Sequence, residues 1–152
     1  MELASPKPGE NRMRTPEKAA EPRRAWALQC ARRYAFMPME SVPIQMIVRW
    51  RVPPREAQSI TVALQGLMQQ TRAAPGCDGC SFSTEMGPLV VIRYVEVWRK
   101  EVDLQRQICS ERFATLAELM ERATEHPQAE FAVSGRVHGL EYAEAVRRAY
   151  LG

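Results

Sequence analysis

Three residues that could carry chemistry alternate along the most strand-like segment of the chain, Leu89 to Trp98. Tyr94, Glu96 and Trp98 stand two residues apart. Because successive side chains of a strand point to opposite faces, we expect all three on one face. A phenol donates a hydrogen bond and a carboxylate accepts a proton, so Tyr94 and Glu96 are candidates for proton chemistry. The competing interpretation is structural, with Tyr94 in the core and Glu96 neutralising a nearby arginine.

A second candidate is the cysteine pair of the segment Cys77-Asp78-Gly79-Cys80. In an extended strand the two Cα atoms would lie roughly 10 Å apart, too far for a disulfide, whereas a turn through Asp78-Gly79 would bring them together. A redox pair and two small side chains packing at a strand start both remain open. A zinc site is disfavoured, because the chain's two histidines, His126 and His138, are distant and unpatterned. His138 is expected at a strand end, facing a pocket or water.

The composition of the chain limits the class of protein to which it can belong. The chain has 152 residues, 45% hydrophobic and 26% charged, which fits one globular domain. No apolar run approaches the roughly 18 residues of a membrane span, and the N-terminus lacks the apolar core of a secretory signal, so a cytoplasmic protein without membrane contact is expected. Residues 41–152 hold 13 basic and 13 acidic side chains, which argues against nucleic-acid binding. Four cysteines are too few for a disulfide scaffold.

The helices and strands that must position these residues are predicted from the periodicity of apolar residues and from the positions of proline and glycine. Residues 1–40 are expected to form a disordered or loosely docked extension, since four prolines and ten charged side chains fall in the first 24 residues. Residues 41–152 are expected to fold as one domain. Its predicted elements are a strand from Ile44 to Trp50, a helix from Pro54 towards Pro75-Gly76, strands Gly79–Glu85 and Leu89–Trp98, a short helix over 102–108, a helix capped by Ser110, a strand over 129–138 and a terminal helix Leu140–Tyr150.

This order predicts an α+β, ferredoxin-like βαββαβ fold with an antiparallel four-stranded sheet and helices on one face. The segment Leu89–Trp98 is apolar on both faces, so the uncovered face is expected to pack on a partner. A second copy of the same sheet is the simplest partner, which predicts a homodimer, a dimeric α+β barrel.

Several spaced segments resemble the antibiotic-biosynthesis-monooxygenase-like (ABM-like) family, which includes quinol monooxygenases. The resemblance covers about residues 44 to 147. It is carried by the segments Val48-Arg49-Trp50-Arg51-Val52-Pro53, Thr71-Arg72-Ala73-Ala74-Pro75-Gly76-Cys77, Tyr94-Val95-Glu96-Val97-Trp98 and Gly139-Leu140-Glu141. It implies a dimeric α+β barrel that oxidises an electron-rich aromatic, such as a quinol or anthrone, with O2 and without a cofactor or a metal.

The resemblance also implies roles for particular residues. Trp98 stands at the position of the family's pocket tryptophan, where an indole stacks on an aromatic substrate and donates its N–H to a developing oxyanion. Tyr94 and Glu96 would complete the catalytic set. The residues expected to bind substrate are Trp50, Phe82, Phe113 and His138.

Two departures from the family pattern favour a different function. Gln107 and Arg112 stand where many members carry histidines, and the chain's only asparagine, Asn11, lies in the tail, which disfavours haem chemistry. The alternative is a non-catalytic dimeric module of the same fold that binds a small aromatic ligand or a partner. In that alternative Cys77 and Cys80 could serve as a thiol switch.

Overall fold

The computed structural model describes residues 42–152, so the expected N-terminal extension, residues 1–40, lies outside the described residues. The elements are β1 (Ile44–Val52), α1 (Pro54–Arg72), β2 (Cys77–Glu85), β3 (Val90–Trp98), α2 (Glu101–Ile108), α3 (Glu111–Met120), β4 (Gln128–Val133), β5 (Arg136–His138) and α4 (Leu140–Leu151). The strands form one antiparallel sheet in the order β2-β3-β1-β4-β5. The predicted α+β class and ferredoxin-like arrangement are confirmed.

Local sequence signals set the helix boundaries. α1 begins with Pro54, whose fixed φ suits the first turn, and it buries a stripe that includes Ile60, Leu64 and Leu67. Ser110 caps α3 as predicted, because its Oγ accepts a hydrogen bond from the backbone N–H of Phe113 at 3.4 Å. Both helices bury one apolar face.

The two faces of the sheet differ in burial. Even-numbered residues of β1 and β3, from Met46 to Val52 and from Val90 to Trp98, are buried under the helices. The opposite face of β3 carries Val91, Val95 and Val97, which are only half-buried, together with the exposed Arg93. The apolar character that the sequence predicts for both faces of β3 is therefore present. Only one of those faces is covered within the described residues.

The predicted fourth strand over 129–138 is wrong as a single element, because it is a hairpin of β4 and β5. Ser134 and Gly135 both have positive φ, 51° and 74°, and form a two-residue turn that reverses the chain. The reversal pairs Phe131 with His138 and leaves Val137 on the opposite face, 68% exposed. Unbroken alternation across 129–138 would place Val137 on the same face as Phe131. The Ser-Gly dipeptide is a turn signal, and in the structure it interrupts this alternation.

Candidate functional site

Tyr94, Glu96 and Trp98 lie side by side on the helix-covered face of β3. Their exposed fractions are 0%, 0% and 3%. The Tyr94 hydroxyl is hydrogen-bonded to Thr71 of α1, and Glu96 accepts a hydrogen bond from Gln107 of α2, so both helices close over this part of the sheet. The structure thus brings together the three side chains that strand alternation placed on one face.

Glu96 is the centre of the cluster and accepts three hydrogen bonds. Its Oε1 accepts from the Tyr94 hydroxyl at 3.0 Å and from Gln107 Nε2 at 2.9 Å, while its Oε2 accepts from Trp98 Nε1 at 3.0 Å. Three donors on one carboxyl group stabilise its ionised form. The indole N–H of Trp98, expected to face a substrate oxyanion, is directed at Glu96 in this structure.

Burial dominates the acid strength of Glu96. Removal from water disfavours the charged carboxylate and raises its pKa to about 7, although the three donors and the nearby Arg112 charge act in the opposite direction. A carboxyl group with a pKa near neutrality is suited to take up and release protons under physiological conditions.

Gln107 and Arg112, at the positions where the family resemblance expects histidines, form a second layer behind Glu96. Gln107 is 1% exposed, and its Oε1 accepts from Arg112 Nε at 2.9 Å and from Ser110 Oγ at 3.2 Å. Sequence reasoning treated both residues only as lost histidines. The available signal was a polar residue at position 107 on the apolar face that Leu104 and Ile108 define in α2.

Tyr94 extends the network towards α1 and β2. Its hydroxyl lies 3.3 Å from Thr71 Oγ1 and accepts a hydrogen bond from Cys80 Sγ at 3.1 Å. Desolvation and the neighbouring Glu96 charge raise the pKa of Tyr94 above its ordinary value, so the phenol stays protonated. Tyr94 therefore acts in this network as a neutral donor to Glu96.

A β-bulge places both candidate cysteines next to this network. The register shifts between Cys77 and Gly79, so that Cys77 lies opposite Trp98 and Cys80 opposite Glu96, on the same face. Both thiols are free. The sequence offered an extended strand or a turn at this point, and the bulge is neither. Burial raises the pKa of Cys77 and raises that of Cys80 to about 12, so little reactive thiolate exists at neutral pH.

The four residues expected to bind substrate are not all near Glu96. Phe82 is, because it lies opposite Tyr94 across the β2–β3 pair. Phe113 is buried in the first turn of α3, directly after Arg112.

His138 and Trp50 lie farther away. His138 stands in the same row as Glu96 but three strands away, about 14 Å, with Met46 and Phe131 between them. Its ring stacks on Tyr142 at a centroid distance of 5.4 Å. Trp50 is four positions from Met46 along β1, about 13 Å, and its buried Nε1 has no hydrogen-bond partner among the described residues.

Neither a metal-binding cluster nor a membrane-spanning helix occurs within residues 42–152. In that range no group of three or more His, Cys, Asp or Glu side chains is arranged to hold a metal ion. None of the helices described there is both long and apolar enough to cross a bilayer.

Comparison with known proteins identifies the fold. No protein-family model matches the sequence, and no curated protein matches it. Among solved structures, an antibiotic biosynthesis monooxygenase is similar with a TM-score of 0.52 at 14% identity, over 60% of this chain and 97% of that chain. A conserved protein from Methanosarcina mazei Go1 gives a TM-score of 0.52 at 19% identity, over 63% of this chain and 90% of that chain.

A third solved structure is a conserved protein of unknown function from Bacteroides thetaiotaomicron VPI-5482, described as a possible oxidoreductase. It gives a TM-score of 0.51 at 15% identity, over 64% of this chain and 96% of that chain. At these identities the likeness establishes the fold. The chain has an ABM-like fold, and the resemblance stated from its sequence is confirmed at that level.

Proposed function

We propose that the protein is a cofactor-independent monooxygenase that oxidises an electron-rich aromatic substrate, a quinol or an anthrone, with O2. The observation that carries the proposal is Glu96, a buried carboxyl group with a pKa of about 7, held by three donors in an ABM-like fold. Such a substrate supplies the electrons that reduce O2. The protein then has to supply a base, a donor for developing negative charge and a site that excludes water.

The chemistry balances for an anthrone. Glu96 removes a proton from the ring methylene group, and the resulting carbanion transfers an electron to O2, after which the two radicals combine and are protonated to a hydroperoxide. Loss of the second methylene proton and cleavage of the O–O bond release water and leave a carbonyl group. In sum, one methylene group and one molecule of O2 give one carbonyl group and one molecule of water.

Tyr94 and Trp98 serve the base in this proposal. Both donate hydrogen bonds to Glu96 while it is ionised. These hydrogen bonds weaken when Glu96 takes the substrate proton, because a neutral carboxyl group is a poorer acceptor. The Trp98 N–H is then free to donate to an oxyanion on the substrate. Phe82, opposite Tyr94, extends the apolar wall beside the cluster.

The test is oxygen uptake by the purified, metal-free protein with a panel of anthrones and naphthohydroquinones, corrected for autoxidation with heat-inactivated protein. We expect uptake that falls at least tenfold in both Trp98→Phe and Tyr94→Phe, since each variant removes one donor from Glu96. Tyr150→Phe is the matched control, because Tyr150 is an exposed residue of α4 whose hydroxyl donates to Gln105 rather than to Glu96. Turnover that is unchanged in both site variants would refute the mechanism.

A non-catalytic ligand-binding module is the second candidate. It is favoured by an open surface depression of about 500 Å³ at the C-terminal end of α3, lined by residues that include Met120, Ala123 and His126. That volume suits a small organic ligand, and the depression lies apart from Glu96. The same substrate panel separates the candidates, because a binder gains thermal stability with a ligand and consumes no oxygen.

We further propose that the open sheet face joins two copies of the chain. Ile47 lies opposite Val95 on this face, and the next row places the exposed Arg49 opposite Arg93. Two adjacent guanidinium groups repel each other in the single chain. A two-fold-related copy brings its own Glu130 to the same surface and offers these arginines a carboxylate.

Light scattering combined with size exclusion measures the assembly directly. We expect twice the mass of the 17.3 kDa chain. We expect Val95→Glu to reduce it to the single-chain mass, because a charge at the centre of an apolar contact is costly to bury. Glu144→Gln on α4 is the control. A monomeric mass for the unaltered protein would contradict the dimer.

A further inference from the structure

The side chain of Gln107 has two orientations related by a half-turn of its amide, and only the observed one turns a donor to Glu96 and an acceptor to Arg112. Its Nε2 donates to Glu96 and its Oε1 accepts from Arg112 and Ser110. The flipped amide would place its carbonyl oxygen against the Glu96 carboxylate, and its NH2 group against the guanidinium N–H. Each of these contacts would bring two like partners to about 2.9 Å.

Among the neighbours of Gln107, Arg112 is the residue that selects one of the two amide orientations. A guanidinium is always protonated and has no acceptor, so whichever group of Gln107 faces it has to be the carbonyl oxygen. Glu96 and Ser110 impose no such rule, because a protonated Glu96 can itself donate and a hydroxyl can donate or accept. Without Arg112, the amide is free to turn its oxygen to Glu96 and accept a hydrogen bond from the protonated carboxyl group.

We infer that Arg112 is a positioning residue that acts through Gln107, holding the Gln107 amide so that it always presents N–H to Glu96 and keeps that carboxyl group available as a base. The inference rests on the proposed role of Glu96. It assigns a function to the two residues that replace the expected histidines. Arg112 itself makes no hydrogen bond to Glu96 among the described residues.

Few other groups around Glu96 change charge near neutral pH. The side chains that face it come from its own strand, from β2, from α2 and α3 and, through Tyr94, from α1: Tyr94, Trp98, Cys80, Gln107, Arg112 and Thr71. The pKa values of Tyr94 and of the two β2 thiols are raised by burial, so these groups stay neutral while Glu96 titrates. A change in the titration of Glu96 therefore reports on Arg112 and Gln107.

A double-mutant cycle tests the inference on the full-length protein, with the protonation of Glu96 followed by 13C NMR of labelled glutamate side chains. We expect Arg112→Met to lower the acid dissociation constant of Glu96 about tenfold. In the Gln107→Leu background we expect a clearly smaller change, about two- to threefold, because only the direct field of the Arg112 charge remains. Arg106→Met, which removes an exposed arginine of α2 paired with Asp103, is the control and should have no effect.

The cycle separates the effect that Arg112 exerts through Gln107 from the direct electrostatic effect of its charge on Glu96. An equal effect of Arg112→Met in both backgrounds would assign the whole influence to charge and overturn the inference, as would no effect in either. If Gln107→Leu does not fold, Gln107→Met, which also lacks the amide, replaces it in the cycle. Circular dichroism establishes that each variant is folded.

Kinetics provide a second readout in the same variants. Arg112→Met should shift the pH profile of kcat/KM to higher pH by about one unit. Its plateau value at high pH should stay within about twofold of that of the unaltered protein. Absence of oxygen uptake in all proteins would refute the proposed function alone, because NMR reports the protonation of Glu96 without turnover.

Discussion

Glu96→Gln is expected to lower kcat/KM for oxygen consumption by about 100-fold to 10,000-fold, the range over which a positioned general base contributes to catalysis. Gln has nearly the shape of Glu and accepts hydrogen bonds through its carbonyl oxygen, but it takes up no proton at neutral pH. The variant removes the proposed chemistry and leaves most of the local packing in place. The measurement is initial oxygen uptake over a range of substrate concentrations.

The pH dependence sharpens this expectation. In the unaltered protein kcat/KM should rise about tenfold per pH unit below 7 and level off above it, because the ionised carboxylate with its pKa of about 7 is the active form. Residual activity in Glu96→Gln should lack that inflection. Glu144→Gln on the outer face of α4 is the matched control. A Glu96→Gln enzyme with full activity and an unchanged pH profile would exclude Glu96 as the base.

The part of the site that lies on one strand followed from the sequence. The period of two along Val90–Trp98 placed Tyr94, Glu96 and Trp98 on one face, because strand geometry determines side-chain direction wherever the strand is regular. The positions of Pro54 and Ser110 likewise predicted where α1 and α3 begin, since both signals act through local backbone hydrogen bonding.

The parts of the site that depend on tertiary packing did not follow from the sequence. Gln107 meets Glu96 because α2 crosses β3 at this point, and two residues eleven positions apart on different elements share no periodic signal. The bulge at Cys77 is also a departure from regular geometry, so alternation misplaces the two thiols relative to each other. His138 was expected at a strand end, facing a pocket or water, and the turn at Ser134-Gly135 places it in β5 at the edge of the sheet.

The same carboxyl group should make the protein less stable as the pH rises from 5 to 8. The pKa of Glu96 is about 7 in the folded chain against an ordinary value of 4.5, so the folded state binds this proton more tightly than the unfolded state does. The stabilisation from the bound proton is complete below pH 4.5 and is lost as the pH rises through 7. At about 1.4 kcal/mol for each tenfold change in acid strength, the free energy of unfolding should fall by about 2.5 kcal/mol between pH 5 and pH 8.

Urea unfolding of the unaltered protein and of Glu96→Gln at pH 5 and pH 8 isolates this contribution, because all other titrating groups are common to both chains. The difference in unfolding free energy between the two proteins should change by about 2.5 kcal/mol across that interval, in favour of Glu96→Gln at pH 8. Glu141 has the opposite effect on the pH dependence of stability, because backbone N–H groups lower its pKa. Its contribution is the same in both proteins and cancels in the comparison. A difference that stays constant with pH would mean that Glu96 titrates as an ordinary carboxyl group, and it would then be fully ionised at neutral pH and a much weaker base than the proposed reaction requires.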